Sequence, residues 1–207
     1  MEHLGTLGEA GPFIKDLQDV QIVCEVGCHR LESTVGLREL YPQATIYAFE
    51  PNPVNVKYIQ DNGLVEKLGV NFYPMAVCDA PGTRDFWLSF TSASSSLRRP
   101  VDAAFHGPGV PTFDEHPLKV DCMTLDSLHL PAIDLLWMDV QSGEDMVLQG
   151  AVETLPHVRY IWTEHNTSGV HTNEPGLAGI RRHLPGWELI ATLAYDAFFR
   201  NPNFTRR

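Results

Sequence analysis

Four strand-like, mostly apolar runs in this chain each stop at a carboxylate: VQIVCE at Glu25, ATIYAFE at Glu50, IDLLWMD at Asp139 and VRYIWTE at Glu164. The clearest lies in Leu135 to Ala151, LLWMDVQSGEDMVLQGA. There the apolar segment meets Asp139, a short turn carries Glu144, and a helical pattern begins. A strand this apolar is buried on both faces, as in a parallel sheet. An acid at its end sits at the carboxyl edge, where open α/β sheets bind ligands. A carboxylate is expensive to hold there unless it has a task.

Strand and helix patterns alternate around these runs. Strands are predicted over Val20–Val26, Ala44–Phe49, Val70–Val77, Arg84–Phe90, Leu118–Met123, Ile133–Met138 and Val158–Thr163. A helix is predicted over Arg30–Tyr41. A second begins at Pro53 with Asn52 as its cap and ends at Gly63. Another spans Gly143–Leu155, and Leu177, Ile180 and Leu184 mark the face of a last one. Trp187 to Phe199 reads as two strands turning near Tyr195-Asp196. The fold class is therefore α/β, a doubly wound, mainly parallel sheet with an antiparallel C-terminal edge strand. The 207 residues suit one domain. Thr91 to Pro117, rich in Ser, Gly and Pro, is expected to be a lid or substrate loop within it.

The net charge of -11 argues against a nucleic-acid surface. No apolar run approaches a membrane span, and the N-terminus has no export signal pattern. Cys24, Cys28, Cys78 and Cys122 form no C-x-x-C pair, so they are expected to be free thiols in a cytoplasmic protein.

Candidate ligand groups follow the strand ends. Glu25-Val26-Gly27 brings an acid and a glycine to the first turn, where a ligand can approach the backbone. The next residues, Cys28-His29-Arg30-Leu31, lack the further glycines of a dinucleotide cradle. Glu50, between Phe49 and Pro51, is placed to accept both hydroxyls of a ribose. Asp79, after the third strand, is a candidate for an adenine amino group, or else the start of a turn before Pro81-Gly82.

Together these motifs resemble the FkbM family of S-adenosylmethionine-dependent methyltransferases. The resemblance is carried by EVG at Glu25–Gly27, YAFEPNP at Tyr47–Pro53, AVCD at Ala76–Asp79, SSSL at Ser94–Leu97 and VDCMTLDSL at Val120–Leu128. Its most specific part is WMDVQSGEDMVLQGA, and GWELIATLAYDAFFRN resembles the family's close. It implies a class I, Rossmann-like methyltransferase that uses S-adenosyl-L-methionine to methylate a hydroxyl on a sugar, glycan or small metabolite. Glu25, Gly27, Glu50, Asp79, Met138 and Asp139 would then line the cofactor site. Two departures stand out. Leu31 occupies a position near which the family carries a glycine, and its side chain is expected to narrow the methionine end of the pocket. Ser142-Gly143 replaces the family's Gly-Ala.

Asp139, Glu164 and His165 are the expected catalytic groups. The two carboxylates should face each other across adjacent strand ends, and one pKa should rise. A divalent metal bridging Asp139, Glu164 and Asn166 is the alternative, though none is expected because no third strong ligand is evident. His106 and His116 in the long loop are further candidate bases. Two other readings compete: a nucleotide-dependent oxidoreductase, disfavoured by the missing glycines, and a non-catalytic binding protein, for which Leu31 is the main support.

Overall fold

The computed structural model describes residues 3–91, 93–102, 104, 112–165 and 167–206, with backbone only for 3–6. Its central sheet holds seven strands in the order β3-β2-β1-β7-β8-β10-β9. These are β1 Ile22–Val26, β2 Thr45–Phe49, β3 Asn71–Tyr73, β7 Ile133–Met138, β8 Val158–Glu164, β9 Glu188–Thr192 and β10 Asp196–Arg200. The pairs β1–β2, β1–β7, β2–β3 and β7–β8 are parallel. The C-terminal hairpin forms the antiparallel edge: β10 is reversed between β8 and β9.

Burial explains the layers. Every residue of β7 is buried, so helices must cover both faces of the sheet. On one face, α1 (Gly11–Ile14), α2 (Glu32–Leu40) and α3 (Pro53–Asp61) pack Ile14, Leu37 and Ile59 against Ile46, Leu135 and Trp137. On the other, α5 (Glu144–Gln149) and α6 (Gly176–Arg181) pack Val147, Leu148 and Ile180 against Val26, Leu136 and Met138. A short helix α4 (Leu64–Leu68) leads into β3.

Local chemistry sets the element ends. Asn52 caps α3 as expected, its side chain accepting from Val54 N at 3.0 Å, with Pro53 following. Val54 and Tyr58 of that helix are exposed, and Ile59 makes the core contact. The helix predicted over Gly143–Leu155 stops at Gln149. Beyond that end, Asp126 accepts from the Glu153 and Thr154 amides at 3.1 and 2.8 Å and holds the chain in a non-helical turn. Asp134, fully buried near the start of β7, accepts from Gln21 N and Ile22 N at 2.8 and 3.0 Å and pairs with Arg206. It is an anchor at the amino edge, opposite the site.

The strand predicted over Val70–Val77 splits. β3 joins the main sheet, whereas β4 (Ala76–Val77) pairs with β6 (Leu118–Met123), which also pairs with β5 (Gly82–Phe86). This small sheet flanks the carboxyl edge and carries the loop expected to be a lid. All four cysteines are buried and unbridged. Among the described residues no helix is long and apolar enough to cross a membrane.

Candidate active site

The strand order reverses at β1 and β7: the chain runs β1, β2, β3 to one side and enters β7 on the other. A cavity of about 300 Å³ opens at their carboxyl ends, where such a switch point places ligands. Glu25, Gly27, Glu50 and Asp139 all line it.

The parity of the pleat selects the side chains that reach it. Glu25 pairs with Trp137 and Val26 with Met138, and successive side chains alternate between faces. Glu25, Trp137 and Asp139 therefore line the cavity, while Met138 lies fully buried in the core beneath α5. Met138 is thus packed in the core and does not line the cavity. Asp79 also misses the cavity. β4 has left the main sheet, carrying Asp79 past the rim to an ion pair with Arg84 at 3.0 Å. Its place is taken by an apolar wall that includes Met75, Ala76, Val77, Phe86 and Leu97.

Glu50 is held by its neighbours' amides. Its Oε2 accepts from His29 N at 2.8 Å and its Oε1 from Asn52 N at 2.8 Å, with Asn55 Nδ2 at 3.4 Å. Burial nevertheless pushes its pKa up to about 7. Glu25 is 1% exposed and accepts the Thr34 hydroxyl. Burial, with a smaller contribution from nearby carboxylates, raises it to about 8.

Gly27 sits at φ +85°, and a Cβ there would lie 1.9 Å from the Asp139 carbonyl oxygen. The turn thus closes directly against β7, leaving backbone as the cavity floor. Leu31 also has a left-handed backbone, φ 68°, which explains why a glycine suits this position. Its side chain, however, is fully buried among Leu37, Ile14 and their neighbours and does not line the cavity. The expected narrowing of the pocket is therefore not found: the αL turn directs the side chain into the core. Leu31→Gly should relieve about 1 kcal/mol of backbone strain but open a core void costing ~2–5 kcal/mol. The expected result in urea unfolding is net destabilisation, with ligand affinity at the cavity unchanged. A tightening of more than about tenfold would mean that the side chain does obstruct the site.

Asp139 and Glu164 meet across the ends of β7 and β8. Gln141 Nε2 donates to Asp139 Oδ1 at 2.7 Å and to Glu164 Oε2 at 2.9 Å, so one amide bridges the two carboxyls. Desolvation by the surrounding protein raises Asp139, although its side chain opens onto the cavity. Glu164 rises to about 9, through burial first and then the charges of Asp139 and Glu144. Among the described residues no three His, Cys, Asp or Glu side chains cluster as a metal site, and Asn166 lies outside those residues.

His165 lines neither this cavity nor its neighbour. One residue beyond Glu164, it is turned away from the crevice; its amide donates to Tyr195 O at 2.7 Å and its buried Nε2 has no hydrogen-bond partner among the described residues. His116 is exposed and lines neither cavity, and His106 lies outside the described residues.

The described part of the long loop roofs the carboxyl edge. Ser95 and Leu97 line the cavity, Ser96 Oγ donates to Gln141 O at 2.7 Å, and Arg98 pairs with Asp145 at 2.5 Å. A second cavity of about 200 Å³ adjoins the first beyond Gln141, lined by Ser94, Gln141, Ser142, Glu164, Ser168, Val170 and His171. Ser142 and His171 were not singled out from the sequence as chemical groups. The one available signal was Ser142 in place of a family glycine: its φ is 74°, and its hydroxyl lies 3.3 Å from His171 Nδ1.

Residues 26–187 match the family model described as the methyltransferase FkbM domain. The 2-O-methyltransferase NoeI of Sinorhizobium fredii (strain NBRC 101917 / NGR234) is 30% identical over 182 residues, covering 82% of this chain and 73% of that protein. Among solved structures, the FkbM methyltransferase from Methylobacillus flagellatus KT superimposes with a TM-score of 0.58 at 12% identity. The match covers 88% of this chain and 44% of the other, so this chain spans less than half of that protein's length. A protein provisionally assigned as an rRNA methylase from Clostridium thermocellum gives 0.56 at 8% identity, covering 98% and 97%. At these identities the two structures bear on fold alone.

Proposed function

Because this chain belongs to the FkbM methyltransferase family, we propose that it transfers the methyl group of S-adenosylmethionine to a hydroxyl oxygen of a sugar or small metabolite. The observation that carries the reading is the cavity at the β1–β7 switch point, floored by Gly27 and edged by Glu25, Glu50 and Asp139. A carboxylate-lined pocket suits a sulfonium cation, and a glycine turn with no room for a Cβ suits close backbone approach. The relative named a 2-O-methyltransferase supports oxygen as the acceptor atom.

Bound there, S-adenosylmethionine would supply an activated methyl group, so no covalent nucleophile is required. Glu50, its head fixed by the His29 and Asn52 amides, has lone pairs left to accept the ribose hydroxyls. The apolar wall formed by Met75, Val77, Phe86 and Leu97 would hold the adenine. Glu25 and the Gly27 backbone would face the amino-acid tail. Asp139 and Glu164, joined through Gln141, would border the reacting centre. Glu164 holds a proton at neutral pH, which suits it to donate to an acceptor oxygen rather than to remove a proton. The non-catalytic alternative loses its main support, since Leu31 does not enter the cavity.

Calorimetric titration of the full chain with S-adenosylmethionine and S-adenosylhomocysteine tests the reading. Both should bind. Glu50→Ala should weaken binding about ten- to a hundredfold, because hydrogen bonds to a charged group contribute roughly 1.5–3 kcal/mol. Unchanged affinity in Glu50→Ala would remove Glu50 from the site.

A further inference from the structure

The second cavity is lined by polar residue types except for Val170. Ser142 adopts a left-handed backbone that a serine reaches only at a cost. It is held there by Arg98, whose guanidinium donates to its carbonyl. Its hydroxyl lies 3.3 Å from His171 Nδ1. His171 is only 5% exposed, and its Nε2 has no hydrogen-bond partner among the described residues. Its backbone is fixed: the amide donates to Glu174 Oε1 at 2.9 Å, and the chain bridges to Pro100. Phe113 packs edge-on against the ring at 5.5 Å. So well-fixed an imidazole, with an unused ring nitrogen, is not explained by packing alone.

We propose that this cavity is the acceptor subsite, that it takes a polyhydroxylated group of monosaccharide size, and that Ser142 receives the acceptor's proton and relays it to His171. The proposal deepens the methyltransferase reading and rests on it. The lining is hydroxyl, amide, carboxyl and imidazole, with Val170 supplying apolar surface, which matches a ligand rich in hydroxyls. The cavity meets the first one at Gln141, whose amide spans Asp139 on one side and Glu164 on the other.

The acceptor oxygen bonds to the methyl carbon as the carbon–sulfur bond breaks, with sulfur keeping that electron pair. The hydroxyl proton passes to Ser142 Oγ while the Ser142 proton passes to His171 Nδ1. The imidazolium later yields it to water, leaving a methyl ether and S-adenosylhomocysteine. With its ring proton on Nε2, neutral His171 is the acceptor this path needs. Burial holds its pKa below the ordinary value, with Glu174 and the Ser94 backbone opposing and Arg98 reinforcing that effect, so the ring is neutral at neutral pH. Glu164, on the same cavity, keeps its own proton and donates to the acceptor oxygen. Ser142 is thus the catalytic contact, and His171 acts through it.

The test uses the full chain saturated with S-adenosylhomocysteine and titrated with the methyl glycosides of glucose, galactose and mannose. The His171 imidazole is followed by NMR and identified by its loss in His171→Gln. At least one glycoside should shift the ring, and Ser142→Ala should remove the shift. S-adenosylhomocysteine affinity should change by less than about threefold in either variant. Methyl transfer to that glycoside should fall about a hundredfold or more in both. The acid limb of the wild-type pH profile, expected below pH 6.5, should vanish in His171→Gln. Ser142→Gly, which relaxes the left-handed backbone, repeats the test should the alanine variant fail to fold. Three results would overturn the proposal yet leave the methyltransferase reading intact: no glycoside shifts the ring, a glycoside that shifts it is never methylated, or the acid limb survives in His171→Gln. If the wild-type chain fails to bind S-adenosylhomocysteine, both fall together.

Discussion

Replacing Gly27 with alanine should destroy the cofactor cavity and come close to unfolding the protein. The added Cβ would lie 1.9 Å from the Asp139 carbonyl oxygen and 2.8 Å from its carbon. Both are backbone atoms of the adjoining chain, so no rotamer change can make room. The clash falls where the Gly27 and Cys28 amides donate to Phe49 O at 3.0 Å and the Asp139 amide donates to Val26 O at 3.0 Å. Relief requires β1 and β7 to part at the site itself. Overpacking costs ~1–3 kcal/mol or more, and a left-handed non-glycine residue adds ~1–3 kcal/mol. Against a total stability of about 5–15 kcal/mol, the variant should lose most of its margin. Cofactor affinity should fall by about a hundredfold or more. Gly82→Ala is the control. That residue also has a positive φ, +131°, but nothing within 4 Å of a Cβ, so only backbone strain is added. Equal losses in the two variants, by urea unfolding and calorimetry, would show that the close approach to β7 does not matter.

Cofactor binding should strengthen steeply as pH rises from about 6 to 8. In the empty site burial pushes Glu50 up to about 7 and Glu25 to about 8. Below these values both hold protons, and a sulfonium cation must displace them to gain its counter-charge. Each proton released contributes up to about tenfold in affinity per pH unit. S-adenosylhomocysteine, which lacks the cationic centre, should show a shallower slope. Glu50→Gln should flatten the dependence between pH 6 and 7. Stability of the unliganded chain should move the opposite way. Folded-state values above the unfolded ones mean that the native state binds more protons, so stability falls as pH rises. For Glu25, Glu50, Glu144 and Glu164, the loss begins above the ordinary value of 4.5 and continues to about 9. Thermal melts over this range, with and without S-adenosylmethionine, give both signs. A melting temperature of the unliganded chain that rises from pH 5 to 8 would contradict the assignment.

Much of the architecture was legible in the chain because its signals are local. Ile133–Met138 matches the predicted strand at both ends, since an uninterrupted run buried on both faces has few other ways to fold. Asn52 and Pro53 announced the start of α3 through their own backbone chemistry. Glu25, Glu50 and Asp139 were placed at one cavity by two regularities, strand ends at the carboxyl edge and acids that stop apolar runs.

What failed depended on which face or which sheet a residue joins. Met138 and His165 each sit one residue from a site group, and a one-residue step reverses a side chain on a strand. Asp79 was lost because β4 pairs with β6, more than forty residues away in the chain, instead of continuing β3. Leu31 stands where a side chain is expected to narrow the pocket, but the left-handed turn sends that side chain into the core. Ser142 and His171 are separated by 29 residues, and nothing in the local pattern of either predicts their contact. The sequence by itself thus determined the α/β class, the strands and the acids at their ends, through periodicity and burial acting over a few residues. Only the tertiary structure decided which strand-end residues miss the cavity and which serine meets a histidine, because strand pairing and loop packing between residues distant in the chain place those groups.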